Sequence, residues 1–109
     1  MADWSLYLLR TRANALYAGI ATDVRRRFSE HARGTARGAK ALRGKGPLLL
    51  VYQVRIGERA LALAAERRFK ALAKRDKEAI VAAAPTAARL LARLGVEPAM
   101  AMERSLPVN

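Results

Sequence analysis

Apolar and polar positions follow two rhythms along the chain. "WSLYLLR" (4–10) and "ALYAGIA" (15–21) are short runs of apolar and aromatic residues with the length and make-up of β-strands. The polar "TRAN" between them suits a turn, with Asn14 tolerant of left-handed backbone, so the two runs are predicted to form a hairpin. Thr22 is placed to cap a following helix, and Asp23 sits well in its first turn. Val24, Phe28 and Ala32 then recur at helical spacing, and Gly34 ends the segment. "LLLVYQVRI" (48–56) is nearly all apolar and predicts a central strand buried on both faces. From Glu58 to Ala73 the chain is Ala-rich and strongly helical, with Leu61, Ala65, Phe69 and Leu72 as its core stripe. "RDKEAIVAAA" predicts a further short helix, and Pro85 is placed to start another, "PTAARLLARLG". The tail "VEPAMAMERSLPVN" has no period and is expected to be loosely held.

The predicted order is β-β-α-β-α-α, an α+β fold with a three-stranded antiparallel sheet flanked by helices. Residues 1–84 form the predicted domain, and 85–109 a C-terminal helix and tail. At 109 residues the chain suits a single modest core, without internal repeats.

Charge changes this picture. Lys and Arg number 21 against 9 Asp and Glu, a formal net charge of +12. Such an excess repels itself on folding and points to a polyanionic partner, nucleic acid ahead of an anionic membrane surface. The segment "GTARGAKALRGKGP" (34–47) has basic residues among glycines and no acid, and reads as a mobile basic loop. Arg33, Arg37, Lys40, Arg43 and Lys45 in and beside it suit phosphate contacts without base readout. The absence of cysteine excludes disulfides and thiolate metal sites, and a lone histidine, His31, excludes the usual zinc sites. Any metal would be a hard cation on carboxylate and water. No stretch has the length of a membrane span or the apolar core of a signal peptide, so a cytoplasmic location is expected.

Four segments in order resemble the GIY-YIG nuclease superfamily, and most closely its small stand-alone bacterial branch. They are "WSLYLLR", "LYAGIATDVRRRF", "GAKALRGKGPLLLVY" and "ERRFKALAKRDKEAIV", together covering about residues 4 to 82. The literal Gly-Ile before the first tyrosine is absent. Ala41 and Leu42 stand where the branch usually has Tyr and Thr, and no asparagine follows Glu66 until Asn109. The resemblance implies a metal-dependent endonuclease hydrolysing DNA phosphodiester bonds, with Mg²⁺ or Mn²⁺, in DNA repair or processing. It puts Tyr7, Tyr17, Arg27, His31 and Glu66 in the catalytic set, with Glu66 as the metal ligand. A domain this small has few elements for reading sequence, so selection of DNA structure (branches, flaps or ends) is expected. The alternative is a nucleic-acid-binding module that keeps the fold and cleaves weakly or not at all.

These residue types suit the chemistry. One carboxylate plus waters is a normal way to hold Mg²⁺. A guanidinium such as Arg27 matches phosphate oxygens and gains value as charge builds in the transition state. A tyrosine near pKa 10 is a poor base unless a neighbouring cation favours its phenolate, a role that suits Arg27 and a metal-bound water. Gly19 leaves room for a sugar-phosphate backbone to come close, and Arg25 and Arg26 suit backbone contacts. His31, one turn after Arg27, suits the same phosphate or a proton relay. Singly, each has a plainer role: strand core for the tyrosines, a solvated helix face for the arginines, an i,i+4 salt bridge for Glu66; Trp4 suits stacking on a base, with core packing the favoured role.

Overall fold

The computed structural model describes residues 3–33, 42 and 44–97. Strand β1 (Trp4–Arg10) pairs with β2 (Leu16–Ala21) on one side and β3 (Leu49–Gly57) on the other, all antiparallel, in the order β2-β1-β3. The hairpin turn closes as the sequence suggests. Asn14 adopts φ +66°, the Thr11 amide donates to the Ala15 carbonyl at 2.9 Å, and the Thr11 hydroxyl accepts from the Ala15 amide at 3.2 Å.

The central strand is β1, not β3 as the apolar run 48–56 suggested. Leu6, Tyr7, Leu8 and Leu9 are all buried, because β1 is paired on both edges and covered on both faces. β3 is an edge strand: Leu49 is 59 % exposed, and Gln53 and Arg55 face solvent. An apolar run reports covered faces, and β1 carries the stronger form of that signal.

Helix α1 (Val24–Ala32) and Leu42 and Leu48 cover one face of the sheet, around Tyr7, Leu9 and Ala21. Helices α2 (Arg59–Lys70), α3 (Lys74–Ala83) and α4 (Ala87–Leu94) cover the other, around Leu6, Leu8, Ala18 and Tyr52. In α2 the fully covered positions are Ala62, Ala65 and Phe69, with Leu61 partly buried; the helix ends at Lys70, short of the predicted Ala73, and Leu72 packs on the core from just beyond it. Alanines bring the helix close to the hairpin, and Phe69 fills the space toward Ile80 and Leu90. The apolar side of α4 puts Leu90, Leu91 and Leu94 into this core.

Two caps differ from the sequence reading. Asp23, not Thr22, is the α1 N-cap: it has extended backbone and its carboxylate accepts from the Arg26 amide at 3.0 Å. A charged acceptor at this position also meets the positive end of the helix. Pro85 lies one residue before the α4 N-cap, Thr86, whose hydroxyl accepts from the Arg89 amide. Gly34 and the tail from residue 98 onward fall outside the described residues.

Long-range polar contacts lock the helices onto the sheet. Arg10 in β1 donates to both carboxylate oxygens of Glu78 in α3, each at 2.8 Å. Lys74 bonds Glu78 at 3.1 Å and also donates to the Asn14 carbonyl in the hairpin turn. Tyr52 of β3 donates to the Pro85 carbonyl at 2.7 Å, at the junction of α3 and α4.

Candidate active site

The site is built on the α1 face of the hairpin. Tyr7 and Gly19 are cross-strand partners in the register of β1 and β2, as are Leu9 and Tyr17, so both tyrosines project toward α1. The Tyr7 ring lies over Gly19. A Cβ at position 19 would lie 2.4 Å from the Tyr7 hydroxyl oxygen and 2.5 Å from Cζ, which no side chain tolerates. The gap that the sequence reading gave to an approaching nucleic-acid backbone is therefore filled by the Tyr7 phenol.

Asp23 sets the start of α1, and with it the angular position of Arg27 and His31 one turn apart. His31 is buried, at 5 % exposure, and its Nε2 lies 2.9 Å from the Tyr7 hydroxyl. The Tyr17 ring meets the same imidazole edge-on, with ring centres 5.6 Å apart. The titration of the Tyr7 hydroxyl responds to Arg27 and to the charges of Tyr17 and Glu66. Glu66 comes from α2, far away in the chain; its side chain is 16 % exposed, and one oxygen lies 3.4 Å from Lys70 Nζ. The structure thus gathers Tyr7, Tyr17, Arg27, His31 and Glu66 in one region.

Protonation follows from burial. Loss of hydration pushes the Tyr7 phenol up to about 12, with the charges of Tyr17 and Glu66 adding to the rise. The hydrogen bond and charge of Arg27 pull the other way and are outweighed, so the expected lowering of this phenol is not the net result. Burial first, then the Arg27 charge, hold His31 below the usual imidazole range, with Glu30 in partial opposition. At neutral pH Tyr7 is a phenol and His31 a neutral ring. The Tyr7 hydroxyl and His31 Nε2 share one hydrogen bond, whose direction follows the imidazole tautomer. Nδ1 is buried and makes no hydrogen bond among the described residues. Tyr17 is the more accessible phenol, half-buried where Tyr7 is 1 % exposed.

Of the residues assigned to nucleic-acid contact, Arg25, Arg26, Arg33 and Lys45 are exposed. Arg33 folds back on Ser29, with Nη2 2.7 Å from Oγ. Arg37, Lys40 and Arg43 lie outside the described residues. Arg26 and Arg27 line a cavity of about 310 Å³ with Trp4, Asp23 and Glu30. The sequence reading put Trp4 in the core; its position at the strand end, beyond the apolar alternation, was the available signal for a different place.

Among the described residues no cluster of three or more His, Asp or Glu side chains forms a metal cage. A largely buried single carboxylate at Glu66, whose charge reaches the Tyr7 phenol, fits a hydrated divalent ion held mainly through its own waters.

The family model of the GIY-YIG catalytic domain matches residues 3–79. The UPF0213 protein YhbQ of Escherichia coli K12 is 54 % identical over 94 residues, spanning 86 % of this chain and 92 % of YhbQ. YhbQ of Escherichia coli O157:H7 is 53 % identical over the same shares. Among solved structures, the solution NMR structure of the UPF0213 protein BH0048 from Bacillus halodurans is 36 % identical, covering 73 % of this chain and 83 % of that one, with a TM-score of 0.49. Family match and long relatives at this identity both hold for most of the chain, which therefore belongs to the GIY-YIG family.

Proposed function

We propose that this protein is a divalent-metal-dependent endonuclease that hydrolyses DNA phosphodiester bonds, selecting DNA structure rather than sequence, in repair or processing. One observation carries the reading. The Tyr7 hydroxyl lies 2.9 Å from His31 Nε2 and responds to Arg27, Tyr17 and Glu66, which come from separate stretches of the chain. A structural role alone gives no reason to collect two phenols, a guanidinium, an imidazole and a carboxylate there.

In this mechanism Arg27 uses its remaining donors to bind the scissile phosphate and stabilises the charge that builds on it. Tyr17, the accessible phenol, orients the attacking water and takes its proton. Tyr7 keeps its own proton and, through Arg27 and His31, fixes where the guanidinium points. Glu66 would hold Mg²⁺ or Mn²⁺ in place of its contact with Lys70, and the ion supplies Lewis-acid stabilisation of the phosphate when bound. Exposed Arg25, Arg26, Arg33 and Lys45 would neutralise flanking phosphates, which makes binding steeply salt-dependent.

The Lys70–Glu66 ion pair favours a second reading, a nucleic-acid-binding module with a silent site. Glu66→Ala separates the two. Labelled branched, single-stranded and duplex DNA is incubated with the protein and Mg²⁺ or Mn²⁺. The endonuclease reading expects wild-type cleavage, loss of cleavage to background in the variant, and retained binding. Equal cleavage by the variant, or no nicking of any substrate by the wild type, rejects it.

A further inference from the structure

Trp4 is half-buried, and among the described residues neither apolar cluster is built on it. The Arg59 guanidinium lies over its ring, 5.3 Å from the centroid. The indole also borders the cavity of about 310 Å³, whose lining does not include Arg59. That cavity shares Arg27 with the catalytic cluster, so whatever fills it sits beside the phosphate that Arg27 would bind. Its volume is at the lower end for small-ligand sites, enough for one nucleotide and too little for a base pair within its stack. Asp23 and Glu30 also line it. Carboxylates there oppose a second phosphate but accept hydrogen bonds from amino groups on base edges.

Building on the endonuclease reading above, we propose that this cavity is a nucleobase subsite, in which Trp4 stacks an unpaired base next to the scissile phosphate. Arg59 holds the indole in place by its cation–π contact. Only a base outside a duplex offers its face to such a platform, so the subsite makes the enzyme prefer single-stranded or splayed nucleotides at the cut.

Trp4 is the single tryptophan of the chain, so its emission reports on this site alone. The full-length protein is titrated, in EDTA to prevent cleavage, with a mixed-sequence single strand and with a blunt duplex of equal length. Anisotropy of labelled DNA measures occupancy in parallel. Saturable quenching of Trp4 by the single strand, with little by the duplex at equal occupancy, is expected. Trp4→Ala should weaken single-strand binding by roughly 5- to 100-fold while duplex binding holds, and Trp4→Phe should recover most of the loss. A bound single strand that leaves Trp4 emission unchanged overturns the subsite, whatever the variants do, and leaves the endonuclease reading intact. If neither DNA binds, both ideas fall together.

Discussion

Replacing Gly19 by alanine tests how the tyrosine is held. In most strands this change is mildly stabilising, by about 0.5–1 kcal/mol, because glycine loses more backbone freedom on folding. Here the new methyl would sit 2.4 Å from the Tyr7 oxygen and 2.5 Å from Cζ. Ordinary contact begins near 3.4 Å, so the ring must retreat by about 1 Å. It has nowhere to go: Tyr7 is 1 % exposed, packed among Leu9, Val24 and Leu48, and its hydroxyl is held 2.9 Å from His31. Overpacking of this kind costs about 1–3 kcal/mol. The variant should therefore be less stable in urea unfolding followed by circular dichroism, with a Tm lower by several degrees. In a Tyr7→Leu background the clash disappears, and the same glycine change should become neutral or stabilising, a coupling that a double-mutant cycle reads directly. A Gly19→Ala protein as stable as the wild type would refute the claim that this glycine exists to seat the phenol.

Titration supplies two further expectations. The phenols of Tyr7 and Tyr52 are pushed up to about 12 by burial, while the unfolded chain releases these protons near pH 10. Their stabilisation is complete below pH 10 and is lost as pH rises toward 12. Urea midpoints across this range should fall steeply, and Tyr52→Phe should flatten the fall; an unchanged slope counts against it. The guanidinium of Arg10 first, then Lys74, lower the Glu78 carboxyl to about 2. That contribution is present above pH 4.5 and is lost as pH falls toward 2, so Glu78→Gln should lower the Tm at pH 7 and make the acid limb shallower. Equal acid limbs in the two proteins would show that the bridge between α3 and the hairpin adds nothing.

Much of the fold was legible in the order of the residues. The hairpin, the left-handed Asn14 and the Ala-rich helix α2 follow from local propensity and spacing, and these signals travel with a few neighbouring residues. Which strand is central did not. The runs in β1 and β3 are both apolar, and only the pairing of β1 with two partners separates them. The α1 cap fell one residue later than expected, at Asp23, since adjacent Thr22 and Asp23 both satisfy the local rule and the backbone decides between them, and α4 starts at Ala87, two residues after Pro85.

For the site, the four motifs that resemble the GIY-YIG superfamily supplied the candidates: two tyrosines ten residues apart on a predicted hairpin, an arginine and a histidine one helical turn apart, and a glutamate on a later helix. Tertiary structure decided what each of them touches. It seated the Tyr7 ring over Gly19, set its hydroxyl against His31, brought Glu66 across from α2, and left Trp4 beside a polar cavity rather than in the core. It also set the sign of the Tyr7 shift, because loss of hydration depends on every element packed around the ring, and an opposing hydrogen bond from Arg27 was too small to reverse it. Spacing carries periodicity and therefore faces; burial and cross-chain contact are sums over distant residues, which exist only once the chain has folded.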